Sequence, residues 1–137
     1  MQGDVGPRRP AAVLTDDNVV FWDAATQGRL VAQRCDGCGV LRHPPRPMCP
    51  HCGSLAIDVV ELSGRGTLYS YAVLHHPQHP AFDYPLPVAL VDLEEGVRVV
   101  SNLVDVATAD IRIGMRVEVA FEATADAGAV PVFRPAP

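Results

Sequence analysis

Four cysteines in two close pairs constrain this chain more than any other feature of its sequence. Cys35 and Cys38 form the first Cys-x2-Cys pair, Cys49 and Cys52 form the second, ten residues separate the pairs, and a glycine follows each pair. A two-residue gap lets each pair hold a tetrahedral ion from one tight turn, and the glycines suit a chain that bends around a metal. The pattern predicts a closed structural site in which four thiolates bind Zn2+ and leave no coordination position for substrate or water.

A mononuclear iron centre of rubredoxin type is the alternative metal site, because a Cys-Pro-x-Cys-Gly pair also occurs in rubredoxins. Rubredoxin pairs stand much further apart in sequence, which favours zinc. A segment of about 20 residues is too small to fold on apolar burial alone, so the metal supplies its folding free energy, on the order of 10 kcal/mol. Arg34, Arg42 and Arg46 flank the cysteines, and their charges offset those of four thiolates around a divalent ion.

Length and charge exclude several classes of protein. The 137 residues, 48% of them apolar, fit one globular domain, and the formal net charge of −5 argues against a general binder of polyanions. No uninterrupted apolar segment is long enough for a signal peptide or a membrane span, which predicts a cytoplasmic protein with reduced thiols and no membrane partner. All 11 cationic side chains are arginine. This reflects either a biased genome composition or a need for rigid guanidinium groups that bind carboxylates and phosphates.

Composition and turn residues divide the chain into four predicted segments. Residues 1–14 have little apolar patterning and predict a flexible tail. Residues 15–28 predict an N-terminal helix, residues 29–56 a zinc ribbon, and residues 57–137 a β domain.

The predicted helix has Thr15 as its N-cap and Gly28 as its stop. It carries Phe21 and Trp22, which have two interpretations. Their rings either cover the chain's own core or anchor a partner, since aromatic residues are enriched at interface hot spots.

Alternating apolar residues predict strands throughout the C-terminal half. The clearest case is Met115, Val117, Val119 and Phe121, the period-two pattern of a strand with one buried face. The other predicted strands are Gly66–His75, Pro87–Leu93, Val97–Val104 and Val130–Arg134, with a tight turn at Glu94-Glu95-Gly96 and a short helical turn within Ala107–Gly114. Five strands with one helical interruption match a small Greek-key barrel such as the OB-fold.

A proline-rich loop follows the first of these strands and contains His75, His76, His79 and Phe82. Such a cluster suits a metal site or a general base, but no acid stands at a diagnostic spacing, so an exposed or partner-facing loop is favoured. The sequence contains no glycine-rich phosphate loop, nucleophile elbow or His-Glu-x-x-His helix. These features together predict a binding module.

Taken in order, several short elements resemble the DUF35 family of zinc-ribbon and OB-fold proteins from about Phe21 to Pro135. They are Phe21-Trp22-x2-Ala25, Gly28-x-Leu30, the two cysteine pairs, Ser63-Gly64-Arg65-Gly66-Thr67-Leu68-Tyr69-Ser70, Pro87-x-Ala89-Leu90-Val91-Asp92-Leu93, Ser101-Asn102-Leu103-Val104, Ile113-Gly114-Met115 and Pro131-Val132-Phe133. The chain departs from the family at Val59, near which members often carry Trp. The resemblance implies a mainly β fold with an N-terminal helix, a rubredoxin-like zinc ribbon and a C-terminal five-stranded OB-fold barrel.

The resemblance also implies a non-catalytic accessory subunit of a thiolase-superfamily enzyme, which is a thiolase, an acyltransferase or an aldolase that cleaves steroid side chains. Some members are fused to a MaoC-like hydratase half. Acyl-CoA then reaches the chain through its partner, which owns the catalytic residues. The residues that we expect to contact the partner or CoA are Phe21, Trp22, Arg65, His75, His76, His79, Phe82 and Tyr84.

Two other functions remain open from the sequence. A free-standing acyl-CoA-binding module would hold the acyl chain in the barrel mouth. A single-stranded nucleic-acid binder would stack bases on Tyr69 and Tyr71, which are expected on the same side of one strand, although Glu118 and Glu122 on an outward face oppose it.

Overall fold

The computed structural model describes residues 8–137, so the first seven residues of the predicted tail lie outside the described part. One α-helix and eight strands follow one another along the chain. Their bounds are α1 Val19–Thr26, β1 Val31–Cys35, β2 Leu41–Arg42, β3 Ile57–Glu61, β4 Arg65–Leu74, β5 Leu86–Leu93, β6 Arg98–Asn102, β7 Arg116–Ala123 and β8 Ala129–Pro135.

The regular helix is shorter than the predicted 15–28, because it runs over Val19–Thr26 with Asn18 instead of Thr15 as its N-cap. The Asn18 N–H donates to Thr15 Oγ1 at 3.2 Å and the Thr15 N–H donates to Asn18 Oδ1 at 2.7 Å, which satisfies both amides before the regular helix starts at Val19. At the other end Gly28 has φ of 77° and donates its N–H to the Ala25 carbonyl. A positive φ without a Cβ clash is what a glycine C-terminal stop supplies.

The ribbon sheet has three strands in the order β2-β1-β3. Gln33 pairs with Arg42 on one side of β1, and Cys35 pairs with Ile57 on the other. The predicted ribbon ends at residue 56, but β3 is hydrogen-bonded to β1 over five residue pairs. Strand pairing therefore ties residues 57–61 to the ribbon, since no local sequence signal distinguishes a ribbon strand from a barrel strand.

The five remaining strands form the predicted OB-fold barrel, in the order β6-β5-β4-β7-β8. The barrel is nearly closed where β6 meets β8, because Leu103 bridges Phe133 and the Ser101 hydroxyl donates to the Pro131 carbonyl at 2.9 Å. The predicted helical turn is present as a 3₁₀ helix over Thr108–Asp110.

A β-bulge in β4 corrects one expectation. Leu68 pairs with Val91 and Ser70 pairs with Leu90, which leaves Tyr69 without a partner. Because the extra residue interrupts the alternation, Tyr69 is exposed whereas Tyr71 packs against the core. The two rings therefore do not present one stacking face.

One apolar core joins the barrel, the helix α1 and the first ribbon strand β1. Phe133, Leu68 and Val91 of the barrel are fully buried, and they share their cluster with Phe21 of α1 and Leu30 before β1. Each such side chain contributes roughly 1.5–3 kcal/mol by leaving water. The helix and the first ribbon strand are thus held by the barrel.

Residues 8–14 cross the barrel instead of extending from it as the predicted tail would. Arg9 donates to Glu122 Oε1 at 2.8 Å and to Asn102 Oδ1 at 3.1 Å, and its guanidinium lies 5.1 Å from the Phe82 ring centroid. These three contacts stabilise the segment that sequence patterning alone left unstructured.

Across residues 8–137, no helix combines the length and the apolar character that crossing a bilayer requires.

Candidate metal centre and partner surface

The two cysteine pairs occupy matching turns. The Gly39 N–H donates to the Cys35 carbonyl at 2.8 Å, and the Gly53 N–H donates to the Cys49 carbonyl at 2.9 Å. Both glycines have positive φ, at 77° and 78°, a conformation that a residue with a Cβ adopts only under strain. The glycine that follows each pair therefore closes the turn that aims two sulfurs at one point.

The four sulfurs converge as a tetrahedral metal requires. All four lie within 4.8 Å of one another, with 3.5 Å between the Sγ atoms of Cys35 and Cys52 and 3.7 Å between those of Cys38 and Cys49. Zinc–thiolate bonds of about 2.3 Å at tetrahedral angles put sulfurs about 3.8 Å apart. All four are free thiols, so the donor set fits Zn2+, and the residues that would hold it are Cys35, Cys38, Cys49 and Cys52.

The turns prepare one sulfur of each pair for deprotonation. The Cys38 N–H donates to Cys35 Sγ at 3.4 Å, and this bond is the main reason that the pKa of Cys35 is lowered to about 6. The Cys52 N–H likewise lowers the pKa of Cys49. The Val40 N–H acts in the same direction on Cys38, but burial and the neighbouring thiols outweigh it and raise the pKa of Cys38 to about 12. A thiolate is the form that binds metal, and the backbone N–H groups of the two turns favour that form at Cys35 and Cys49.

Arg42 differs from the other two arginines that flank the cysteines. Arg34 pairs with Asp58 at 2.8 Å, and Arg46 is exposed. Arg42 is only 7% exposed, bonds to Gln33 Oε1 and to the Arg46 carbonyl, and leaves its NH1 without a hydrogen-bond partner among the described residues. A buried cation with only neutral acceptors is costly, and the dianionic zinc–thiolate group would lower that cost.

The predicted contacts on the helix divide into one core residue and one surface residue. Phe21 is buried in the core cluster and meets Trp22 edge-to-face at 4.8 Å between ring centroids. Trp22 is partly buried and packs against the same cluster. Phe21 therefore serves the fold, and Trp22 is the ring of the two that remains partly accessible.

Arg65 is the exposed first residue of β4, and its side chain pairs with Glu94 at 3.3 Å. Its flanking glycines have packing reasons, because a Cβ on Gly64 would collide with the Val119 side chain and a Cβ on Gly66 with the Asp92 carbonyl. The close backbone approach that the glycines indicate is thus an approach between strands of the same barrel.

The proline-rich loop places its predicted contact residues at the surface. His75 and His76 are exposed, the His79 N–H donates to the Tyr84 hydroxyl at 2.8 Å, and the His79 ring lies 5.8 Å from that of Phe82. Within residues 8–137, the four cysteines are the one group of three or more potential metal ligands that converge. The histidines consequently form no second metal site there.

Sequence reasoning missed a cavity of about 380 Å³ where α1, the loop after β2 and the barrel seam meet. Its lining includes Trp22, His43 and Val100, which are distant in sequence and share no motif. The one local feature is a histidine followed by two prolines, and it does not identify the neighbours of His43.

The comparisons with known proteins agree with this architecture. Residues 22–58 match the model of the ChsH2 rubredoxin-like zinc ribbon domain, and residues 59–122 match that of the ChsH2 C-terminal OB-fold domain. Among solved structures, a chain of the Ltp2–ChsH2(DUF35) aldolase superimposes with a TM-score of 0.88 and 51% identity, over 93% of this chain and 100% of that one.

Two curated relatives illustrate the similarity. A probable enoyl-CoA hydratase alpha subunit of Thermomonospora curvata is 52% identical over 93% of this chain, which spans 40% of that relative's length. A DUF35 domain-containing scaffold protein of Methanocaldococcus jannaschii is 37% identical over 67% of each chain. With both halves matched in order and the four ligands in place, this chain belongs to the DUF35 family of rubredoxin-like zinc ribbon and OB-fold proteins.

Proposed function

We propose that this chain is a non-catalytic accessory module that docks onto a larger acyl-CoA enzyme of the thiolase superfamily, either an aldolase or a thiolase or acyltransferase. Its task is to support the partner's stability, the shape of its active site or the transfer of acyl-CoA. The observation that carries the proposal is the match, at 51% identity and a TM-score of 0.88, to a whole chain of the Ltp2–ChsH2(DUF35) aldolase.

The chemistry of the chain supports an accessory role. Four thiolates close the zinc coordination sphere, so the metal stabilises the fold and activates no water. The name of the Methanocaldococcus relative, a scaffold protein, agrees with such a role. The name of the longer Thermomonospora relative, a hydratase alpha subunit, makes a MaoC-like hydratase the second candidate partner.

The contact surface in this proposal consists of Trp22 and the loop residues His75, His76, His79, Phe82 and Tyr84. The histidines are exposed, and the Arg9 guanidinium packs on the Phe82 ring, 5.1 Å from its centroid. A braced loop loses less conformational entropy on binding than a free one. Arg65 remains a possible CoA-phosphate contact only if it exchanges Glu94 for the phosphate.

Charge pairing weakens the nucleic-acid alternative. Seven of the 11 arginines pair with carboxylates among the described residues, namely Arg8, Arg9, Arg29, Arg34, Arg65, Arg98 and Arg134. A single-strand binder needs free cations along a groove and aromatic platforms on one face. The Arg98 guanidinium instead stacks on the Tyr69 ring, 3.6 Å from its centroid.

The test is co-expression with thiolase-superfamily enzymes from the genome that encodes this chain, followed by size-exclusion chromatography and turnover assays. We expect a stable complex and acyl-CoA turnover that depends on both chains, with none by this chain alone. An enzyme whose solubility, turnover and oligomeric state are unchanged without this chain would contradict the proposal.

A matched pair of variants then tests the surface. His75→Ala with His76→Ala should weaken the complex by about tenfold, the loss expected for a small part of an interface hot spot. Tyr69→Ala, at an exposed ring outside the proposed surface, should leave affinity unchanged. Equal effects of the two variants would place the interface elsewhere.

Calorimetry with the isolated chain separates the remaining alternatives. Saturable heat with acyl-CoA would favour a free-standing acyl-CoA-binding module, and tight, salt-sensitive binding of oligonucleotides would favour the nucleic-acid function.

A further inference from the structure

The cavity at the junction of helix, ribbon and barrel has a predominantly apolar wall. Its lining includes the buried Leu30, Val99 and Phe133 and the rings of Phe21 and Trp22. The loop residues His43–Pro45 complete this part of the wall. With a volume of about 380 Å³, it lies at the lower end of the range of small-molecule sites, roughly 300–1,000 Å³.

The polar side chains of the wall are already engaged within the chain. Asn18 accepts from the Thr15 N–H at 2.7 Å and donates to the Val13 carbonyl at 3.1 Å. The Ser101 hydroxyl donates to the Pro131 carbonyl at 2.9 Å. These groups offer little to a polar ligand, because each already has the partner that a ligand would need to replace.

The one charged side chain of the wall is neutralised as well. Arg98 makes a two-pronged ion pair with Asp92, at 2.6 and 3.1 Å, and stacks on Tyr69. A phosphate or carboxylate in the cavity would have to break this pair, and no other cation lines the wall. The cavity therefore discriminates against anions.

His43 is the exception among the polar groups. Its ring stands 5.0 Å from that of Phe21 and makes no hydrogen bond to the described residues. Burial lowers its pKa, so the imidazole is neutral at pH 7. A neutral imidazole has one N–H donor and one acceptor nitrogen, so this lining residue can bond to a ligand in the cavity.

From this distribution of polar groups we infer that the cavity is a binding site for an uncharged, mainly apolar molecule, such as a ring system or a branched chain, with one carbonyl or hydroxyl oxygen that bonds to His43. The site needs no partner enzyme. It excludes the charged nucleotide part of CoA, and it lies beside the barrel seam instead of in the barrel mouth.

The test uses the zinc-loaded chain and displacement of the neutral dye N-phenyl-1-naphthylamine. Dicyclohexyl ketone and dicyclohexylmethane differ by the carbonyl oxygen, and both should displace the dye, the ketone at about tenfold lower concentration, the value of one hydrogen bond of about 1.4 kcal/mol. Coenzyme A should displace nothing. Displacement by coenzyme A at the ketone's concentration, or no saturable dye binding, would overturn the inference.

Two variants locate the site. Val100 is 69% exposed and lies on the cavity rim, whereas Ile113 is 67% exposed and lies outside the lining. Val100→Phe should weaken dye and ketone binding at least fivefold, and Ile113→Phe should change neither. Equal weakening in both variants, or none in either, would show that the dye binds elsewhere.

A third variant tests the hydrogen bond. His43→Phe should abolish the preference for the ketone over the hydrocarbon while dye binding is retained, and a retained preference would remove His43 from the site. Melting curves with normal zinc content verify that each variant is folded. A negative result for the cavity would not contradict the proposed docking to an enzyme, because docking is measured with the enzyme and not with the dye.

Discussion

The ribbon and the barrel reach order by different physical means. The ribbon sheet consists of two five-residue strands and one of two residues, and most of β3 is exposed. The barrel sheet has five strands around fully buried side chains such as Phe133, Leu68 and Val117. The ribbon therefore depends on metal coordination and the barrel on apolar burial, although residues of β1 and α1 pack into the core of the barrel.

Removal of one zinc ligand should have the largest effect, because it should unfold the ribbon and leave the barrel folded. We expect Cys49→Ser to lose its zinc and unfold the ribbon, because a four-thiolate site contributes on the order of 10 kcal/mol to folding. The barrel should keep its slowly exchanging amides. Metal analysis and hydrogen exchange measure both effects.

His51→Ser is the matched control for Cys49→Ser, since His51 is exposed and lies between Cys49 and Cys52. It should keep one zinc per chain. One zinc and an unchanged melting profile in Cys49→Ser would refute the dependence of the ribbon on metal.

Phe133→Ala attacks the barrel instead. The Phe133 side chain is fully buried, and truncating such a ring costs about 3–5 kcal/mol through lost transfer energy and a residual cavity. Denaturant unfolding should show this loss, while zinc stoichiometry stays at one under native conditions. Val100→Ala, at an exposed position, should change stability by less than about 0.5 kcal/mol. Loss of zinc together with the core side chain would mean that the regions are not separable.

Arg42→Met should affect the metal more than the fold. Methionine keeps the apolar volume but removes the buried charge, so zinc affinity should fall by about tenfold, as for other groups around a metal site. The stability of the metal-free chain should not fall. The exposed Arg46→Met is the control, and equal zinc affinities of the two variants, measured by chelator competition, would exclude a charge-balancing role.

The smallest effects concern one ion pair in each region. The hydrogen bond from Arg98 lowers the pKa of Asp92, and the Val59 N–H with Arg34 lowers that of Asp58. A lowered pKa adds stability above the usual value of 3.8, which is lost as the pH falls through the lower value of the folded state. Both pairs are largely exposed, so Asp92→Asn should cost less than about 1 kcal/mol at pH 7, and Asp58→Asn should lower stability only slightly.

Acid titration should then distinguish the regions. Zinc dissociates once its thiolates are protonated, so the cost of Asp58→Asn should disappear together with the zinc, at higher pH than that of Asp92→Asn. Thermal unfolding and zinc release, followed from pH 7 to 3, measure the two steps. Coincident loss of both costs would contradict separate stabilisation.

Local patterns predicted much of this architecture. The alternation from Met115 to Phe121 covers most of β7, which begins at Arg116, and the run Pro87–Leu93 lies in β5. The Cys-x2-Cys spacing predicted a cluster whose sulfurs lie within 4.8 Å. Such signals succeed because strand alternation and metal knuckles are properties of a few consecutive residues.

Other features depend on contacts between distant residues. The pairing of β3 with β1, the bulge at Tyr69 and the position of Arg9 against Glu122 have no local signature. Arg42 looks like its neighbours Arg34 and Arg46 in the sequence, and only burial distinguishes it. The cavity beside His43 combines walls from three parts of the chain.

The sequence by itself predicted a four-cysteine metal site, the succession of helix, ribbon and barrel, and the resemblance to the family. Tertiary structure decided which aromatic ring is buried, which arginines are neutralised and where the apolar cavity lies. The physical reason is range: coordination turns and strand periodicity act over a few residues, whereas burial and ion pairing depend on which distant segments the barrel brings together.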